Sequence, residues 1–390
     1  GSSNATLTSS NAVANTVAVN VANSTLNLTD IALFDHALTG NGTLNIDTTN
    51  NTFNFGVNTG TAFAGTVDMK NSIFTLSGNN TAALSNASFI ASAGTAVAVG
   101  NGNQAVGNFA LNGGTAAFAS GSLISTGTLA VTANSNIRVD PTLTTGGNLL
   151  DQDTGTATRL INSSNVLSAA DLARLTLRNI LGDILSANVS VDVIQGANTV
   201  AQAIYNYGLS GVGGGLSVTS ALTRLALLSG QTLTLTSQGT INADHTLLAQ
   251  LTGVGNLAIG ANNSEMTLTN TTNNYTGSTS VNGGILNLGS NNALGQTSAL
   301  NTASGTTTNI NGHSQTVGAL TNAGTVTLGT GGVLSSGLLT NNNILNIAGG
   351  TLNLSAGGVS TAIGGLTGSG TLNINGGTLA ISAANSALAG

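Results

Sequence analysis

The sequence predicts an all-β protein built as a parallel β-solenoid. Three observations carry this reading: the composition, a recurring period-two strand motif, and the spacing at which that motif returns. Among 390 residues there are 54 Gly, one Pro, no Cys and no Trp, and only 5% are charged, against about 25% in an average soluble domain. A typical enzyme is not made this way. Disordered chains are rich in charge and Pro, whereas this one is 40% hydrophobic and dense in Val, Ile, Leu and Thr. No run of about 18 consecutive apolar residues is present, which argues against a spanning helix. A long all-β chain is the class that remains.

The strand motif is a Gly or Asn followed by aliphatics that alternate with Thr, Asn or Ala. It reads "GTLNI" at Gly42, "GTVDM" at Gly65, "GTLAV" at Gly127, "GILNL" at Gly284, "GTVTL" at Gly324, "NILNI" at Asn343, "GTLNL" at Gly350, "GTLNI" at Gly370 and "GTLAI" at Gly377. Alternation with period two gives a short strand with one apolar face, too brief to fold alone. Asn343 to Gly370 and Gly350 to Gly377 are both twenty-seven residues, so the expected repeat is a coil that stacks on itself with two strands per turn. Inward Leu, Ile, Val and Ala would form the core, with flanking Gly and Asn at corners that need positive φ. Outward Thr and Asn would ladder from rung to rung.

Three segments follow along the chain. Residues 1–148 are expected to be N-terminal rungs with an aromatic core, because all eight Phe (Phe34, Phe53, Phe55, Phe63, Phe74, Phe89, Phe109 and Phe118) fall there. Residues 149–236 read as an inserted or protruding subdomain. Charges concentrate in it (Asp171, Arg174, Arg178, Asp183, Asp192), "VSVDVI" reads as strand, and Leu172, Leu175, Leu177, Ile180 and Leu181 suit one side of a short helix capped by Ser168. Residues 237–390 read as a second solenoid segment, with no Asp, Glu, Lys or Arg after Glu265.

Little in the chain offers chemistry. Asp30, Asp35 and His36 in "DIALFDHALTG" could approach one another but read better as a polar N-terminal cap than as an acid–base pair. Asp151 and Asp153 lack the further oxygen ligands and closing Glu of a calcium loop, so a turn is expected there. Asp244 and His245 have no nucleophile motif near them, and His313 lies within a repeat. No catalytic residue, cofactor or metal is therefore expected, and the absence of Cys removes disulfides and thiolate metal sites. A net charge of −6 makes no basic stripe, so nucleic acid is not an expected partner. Asn-x-Ser/Thr triplets are frequent by chance in so Asn- and Thr-rich a chain and carry no argument for glycosylation.

In order, "AGTVDMKNSIFTLSGNN" from Ala64, "NGGTAAF" from Asn112, "GTLAV", "LLDQDTGTATRLI" from Leu149, "NTVAQAIYNYGLSG", "TRLALLSGQTLTL", "NNYTGSTSVNGGILNLGSNNALG" and "NGHSQTVGALTNAGTVTL" resemble the passenger domains of type V autotransporters. The resemblance is to the self-associating and diffuse-adherence adhesins, and it covers nearly the whole chain. It implies a right-handed parallel β-helix, displayed on the surface of a Gram-negative bacterium through a C-terminal outer-membrane barrel absent from these residues. The opening "GSSNATLTSS" lacks a signal-peptide pattern, as an excised passenger would.

The expected function is cell–cell adhesion and biofilm formation by self-association, without enzymatic activity. Many small contacts along uncharged Asn and Thr ladders would sum to avidity. The alternative is a host extracellular-matrix protein or glycosaminoglycan ligand held by Arg159, Arg174, Arg178 and Arg224, four of the chain's six basic residues, should they converge into an anion site. A polysaccharide-active β-helix enzyme is the remaining reading, and would need scattered acids to meet in one cleft.

Overall fold

The computed structural model describes residues 3–8, 17–141, 149–236, 246–260, 265–355, 357–381 and 387–388. Among the described residues strand accounts for 59% and helix for 4%, arranged as a parallel β-solenoid of about 17 turns. The chain divides into two compact units, one of residues 1–146, 156–186 and 207–220, the other of residues 147–155, 187–206 and 221–390.

In the first unit the rungs stack in parallel register. Thr25–Thr29 lies on Thr43–Phe55, which lies on Thr66–Leu76, and Asn108–Asn112 joins Ser88–Ser92 to Leu129–Ala133. The alternation read from the sequence is realised in the burial: in Thr43–Phe55, Leu44, Ile46, Phe53 and Phe55 are inward, with Asn45 between them facing out. All eight Phe are buried. Phe53 stands over Phe74 at a ring-centroid distance of 6.4 Å, Phe74 over Phe89 at 5.4 Å and Phe89 over Phe109 at 5.6 Å. Spacings of 4.5–7 Å suit favourable aromatic pairing, so one aromatic side chain per turn makes a continuous column.

In the second unit the column is aliphatic. Met266, Leu286, Thr308, Val326, Leu345 and Leu366 occupy one register line through five successive pairings and are all buried. The polar groups that share this core find partners. Tyr275 Oη lies 2.6 Å from Thr279 Oγ1, which lies 3.0 Å from Thr297 Oγ1, and Thr297 donates to the Gly277 carbonyl at 2.7 Å. Burial pushes the Tyr275 phenol well above its ordinary range, against the pull of the two threonines.

Two sequence expectations change. Thr351–Leu354 pairs with Thr371–Ile374, and Ile344–Ile347 with Leu366–Gly368. The motif at Gly350 thus stacks on that at Gly370, twenty residues on, while the motif at Asn343 belongs to the other sheet. The spacing of twenty-seven joined strands that do not pair: those after Asn343 and Gly370 lie in different sheets, and Thr378–Ile381 pairs with Val359–Ala362 rather than with Thr351–Leu354, because neighbouring strands carry nearly the same sequence. The motif glycines also have another cause than positive φ at most positions. Gly65 has ordinary φ, but a Cβ there would sit 2.1 Å from the Gly42 carbonyl, and one on Gly370 would sit 2.3 Å from that of Gly350. Close approach of the next rung excludes a side chain.

The central stretch departs from pure parallel stacking. In the first unit, the Thr156–Asn162 strand pairs in parallel with Ser122–Thr126 and antiparallel with residues 216–220. In the second, Val189–Gln195 forms an antiparallel hairpin with the strand beginning at Asn198. A helix does form, but only over Ala169–Ala173. Ser168 caps it, accepting from the Asp171 amide while the Asp171 carboxylate accepts from the Ser168 amide, a reciprocal capping box. Beyond Arg174 the expected helical side becomes the strand Leu175–Asn179, which pairs in parallel with Ser135–Val139. Its Leu-Thr-Leu alternation suits a rung, and tertiary pairing overrides Leu's helix preference.

Candidate functional site: polar columns and the central arginines

The outward faces of the rungs align like over like. In the second unit Thr267, Asn287, Asn309, Thr327, Asn346 and Thr367 form one column, all half-buried and none charged. Asn309 Nδ2 donates to Asn287 Oδ1 at 2.8 Å, and Asn287 in turn donates to the Glu265 carboxylate. Ser280, Asn301, Thr321, Thr340 and Thr361 form a second column, in which Thr321 and Thr340 are exposed. A third runs Ser335, Asn353, Asn373, with Asn373 donating to Asn353 at 2.8 Å. The first unit repeats the device at Asn27 and Asn45, joined at 2.8 Å. An Asn amide has two donors and two acceptor lone pairs, so a ladder bond within the column leaves hydrogen-bonding capacity directed outward.

Three of the four predicted arginines have local partners for their side chains. Arg159, in Thr156–Asn162, donates to the Gly214 carbonyl and lies near those of Val212 and Gly213. Arg174, at the end of the short helix, pairs with Asp171 at 3.3 Å; the Ser168 hydroxyl and amide, more than Arg174, hold that carboxyl below its ordinary range. Arg178 donates through Nε to Asn136 Oδ1 and through Nη1 to the Gly182 carbonyl, both at 2.7 Å. Arg224 lies in the second unit, in register with Gln250. Within the first unit, Arg159, Arg174 and Arg178 are each fixed to a different turn. The sequence reading omitted Arg138, which is the register partner of Arg178. Aligning "SNIRV" with "LTLRN", each with Arg in fourth place, would have found it.

The acidic candidates act as staples between turns. Asp35 accepts from the amide and side chain of Asn58 at 2.8 and 2.9 Å, and Asp30 from Thr49 at 2.7 Å. His36 is buried with its ring edge against Phe34. Asp244 and His245 lie outside the described residues, as does the Asp151 side chain. His313 sits just before Ser314–Asn322, its carbonyl accepting from the Val333 amide. Among the described residues no group of three or more His, Asp or Glu is placed to hold a metal ion, and no helix is long and apolar enough to cross a membrane.

Asp153 is the carboxyl most affected by its surroundings. Burial raises its pKa above the ordinary 3.8, opposed by hydrogen bonds from backbone amides including that of Leu248. A carboxyl raised on folding binds its proton more tightly in the native state. Its contribution to stability is therefore fully present below pH 3.8 and is lost as pH rises through the folded value. Asp153→Asn removes this dependence. The melting temperature of the variant relative to the parent is expected to rise between about pH 3 and pH 7, and a constant difference across that range would contradict the assignment.

No family model matches the chain. Two curated proteins of Escherichia coli K12 are similar to it. The uncharacterized protein YuaQ is 32% identical over 349 residues, covering 81% of this chain and 25% of that protein. The uncharacterized lipoprotein YdeK is 32% identical over 363 residues, covering 81% of this chain and 27% of that protein. The chain thus spans about a quarter of the length of these relatives.

Proposed function

We propose that this chain is the passenger segment of a bacterial autotransporter adhesin, exposed at the cell surface, which joins cells by self-association and acts without catalysis. The observation that carries the reading is the set of uncharged, laddered Asn and Thr columns on a rigid solenoid. Two such faces can exchange hydrogen bonds without desolvating any charge, and each bond contributes about 0.5–1.5 kcal/mol net. Repetition along the rungs multiplies these small terms into avidity. The name of YdeK, a lipoprotein, favours a place in the cell envelope. The ladder reading is preferred to a four-arginine anion site because Arg159, Arg174 and Arg178 engage separate local partners rather than one another's surroundings, and Arg224 belongs to the other unit.

Sedimentation velocity over a concentration series, at low and high ionic strength, tests it. Contacts between neutral faces should persist in high salt, whereas arginine-mediated contacts should weaken as screening increases. The expected result is reversible, salt-tolerant dimerisation that falls at least tenfold in affinity when Asn309 and Thr327 are both replaced by Lys. A strict monomer under every condition would remove the proposal.

A further inference from the structure

We propose that Arg138 and Arg178 together form a binding site for a tetrahedral oxyanion, a phosphate or sulfate ester. The site is independent of self-association. The two arginines are direct register partners on adjacent rungs, Ser135–Val139 and Leu175–Asn179, where strands lie about 4.8 Å apart. Like charges placed directly opposite on neighbouring strands are destabilising. Outward positions along the same register line hold Ala117 and Ala98, so nothing in the pattern of the rungs calls for a cation here. The chain has six basic residues in all, and two of them are stacked.

The surroundings do not neutralise the pair. Both side chains are half-buried. The ion pairs among the described residues are Lys70 with Asp68 and Arg174 with Asp171, and neither involves Arg138 or Arg178. Asp183, on the adjoining turn, accepts from the Asn179 side chain at 3.0 Å. Arg138 Nε is buried with no hydrogen-bond partner, a costly state for a charged group.

Geometry brings the two guanidiniums to one place. Arg178 donates to the Gly182 carbonyl, and a Cβ added to Gly182 would lie 3.5 Å from Arg138 Nη2. Both therefore abut the turn between Asn179 and Asp183, which is closed by the Gly182 amide on the Asn179 carbonyl at 3.0 Å. Asn136 fixes Arg178 through Nε, and Arg138 Nη2 lies against the same turn. Planar guanidinium forks match the oxygens of phosphate and sulfate, and two adjacent positive charges favour a phosphate dianion, or sulfate groups repeated along one polymer, over a single carboxylate. A local rule broken with no compensation inside the protein marks a functional position.

Arginine-selective 15N labelling resolves the test, because each Arg Nε–H gives its own signal. Dilute protein is titrated with inorganic phosphate, sulfate and methyl phosphate, and separately with dextran sulfate against uncharged dextran. Saturable shifts of the Arg138 and Arg178 signals are expected, with Arg224 unmoved. Arg138→Gln should weaken binding at least tenfold, and Arg224→Gln should leave it unchanged. Because Arg138 Nε has no hydrogen-bond partner among the described residues, replacement of Arg138 should not unfold the protein, and its melting temperature without anion should equal or exceed that of the parent. Tighter binding of dextran sulfate than of the free ions would identify a polymeric ester as the source, and equal binding a free anion. Shifts that are linear and shared by all arginines, or full binding by Arg138→Gln, would overturn the site.

Discussion

Phe74→Ala is expected to cost about 3–5 kcal/mol, the range for truncating a buried aromatic. Phe74 is fully buried in Thr66–Leu76 and meets three other rings: Phe53 at 6.4 Å, Phe55 at 6.3 Å and Phe89 at 5.4 Å. The column is continuous from turn to turn, so a truncation opens a cavity that neighbouring rungs, fixed by their backbone ladders, cannot collapse to fill. Ile73→Ala on the same strand is the control. Ile73 is 47% exposed, and its loss should fall within about 0.5–1 kcal/mol. Urea unfolding followed by circular dichroism measures the difference. Because each turn touches only its neighbours, hydrogen exchange should locate the loss of protection in the rungs of Phe53 and Phe89. Equal effects of the two substitutions would show that the aromatic column does not hold the first unit together.

The second large effect is expected at Asn341. It lies buried beneath an outward polar face, in register with Asn322. Its Oδ1 accepts from Asn322 Nδ2 at 2.8 Å, and its Nδ2 donates to the carbonyls of Asn343 at 2.9 Å and Gly365 at 3.3 Å. Asn341→Ala strands these groups away from water, at about 1–3 kcal/mol for each one left unsatisfied. Asn342→Ala, at an exposed neighbour, should be nearly silent. Replacing Asn322 and Asn341 together by Val should cost less than the sum of the single changes, since partners removed as a pair leave fewer orphans. Strict additivity would mean that the two amides do not act as a unit.

The solenoid was legible because it is written many times. Alternating motifs such as "GTLNL" fix which side of each strand is inward, and the Phe distribution places the aromatic core in the first unit. The length of a turn was not legible from two motifs alone. Strands of the same turn resemble each other as closely as strands of successive turns, so only the pairing of Thr351 with Thr371 selects twenty residues over twenty-seven. The outward ladders follow from strand parity once the register is known. The arginine pair escaped because its members lie forty residues apart, about twice the usual rung spacing, with the strand Thr156–Asn162 and a short helix between them. Leu172 to Leu181 misled for a related reason: aliphatic spacing suits a helix face, while the edge of Ser135–Val139 offers a template that draws Leu175–Asn179 into extended form.

The pairing of each rung with the one about twenty residues before it has a consequence for how the chain folds. Leu44 meets Leu26, Leu352 meets Leu334 and Leu286 meets Met266, so within a stacked segment no rung has to wait for a distant part of the sequence. Closing such a loop costs the same entropy at every step, and that cost grows only logarithmically with loop length. A finished edge presents a row of unpaired amides and carbonyls and serves as the template for the next strand. Growth is therefore a zipper that advances in equal strokes, and a chain delivered from one end can order itself at the pace of its arrival.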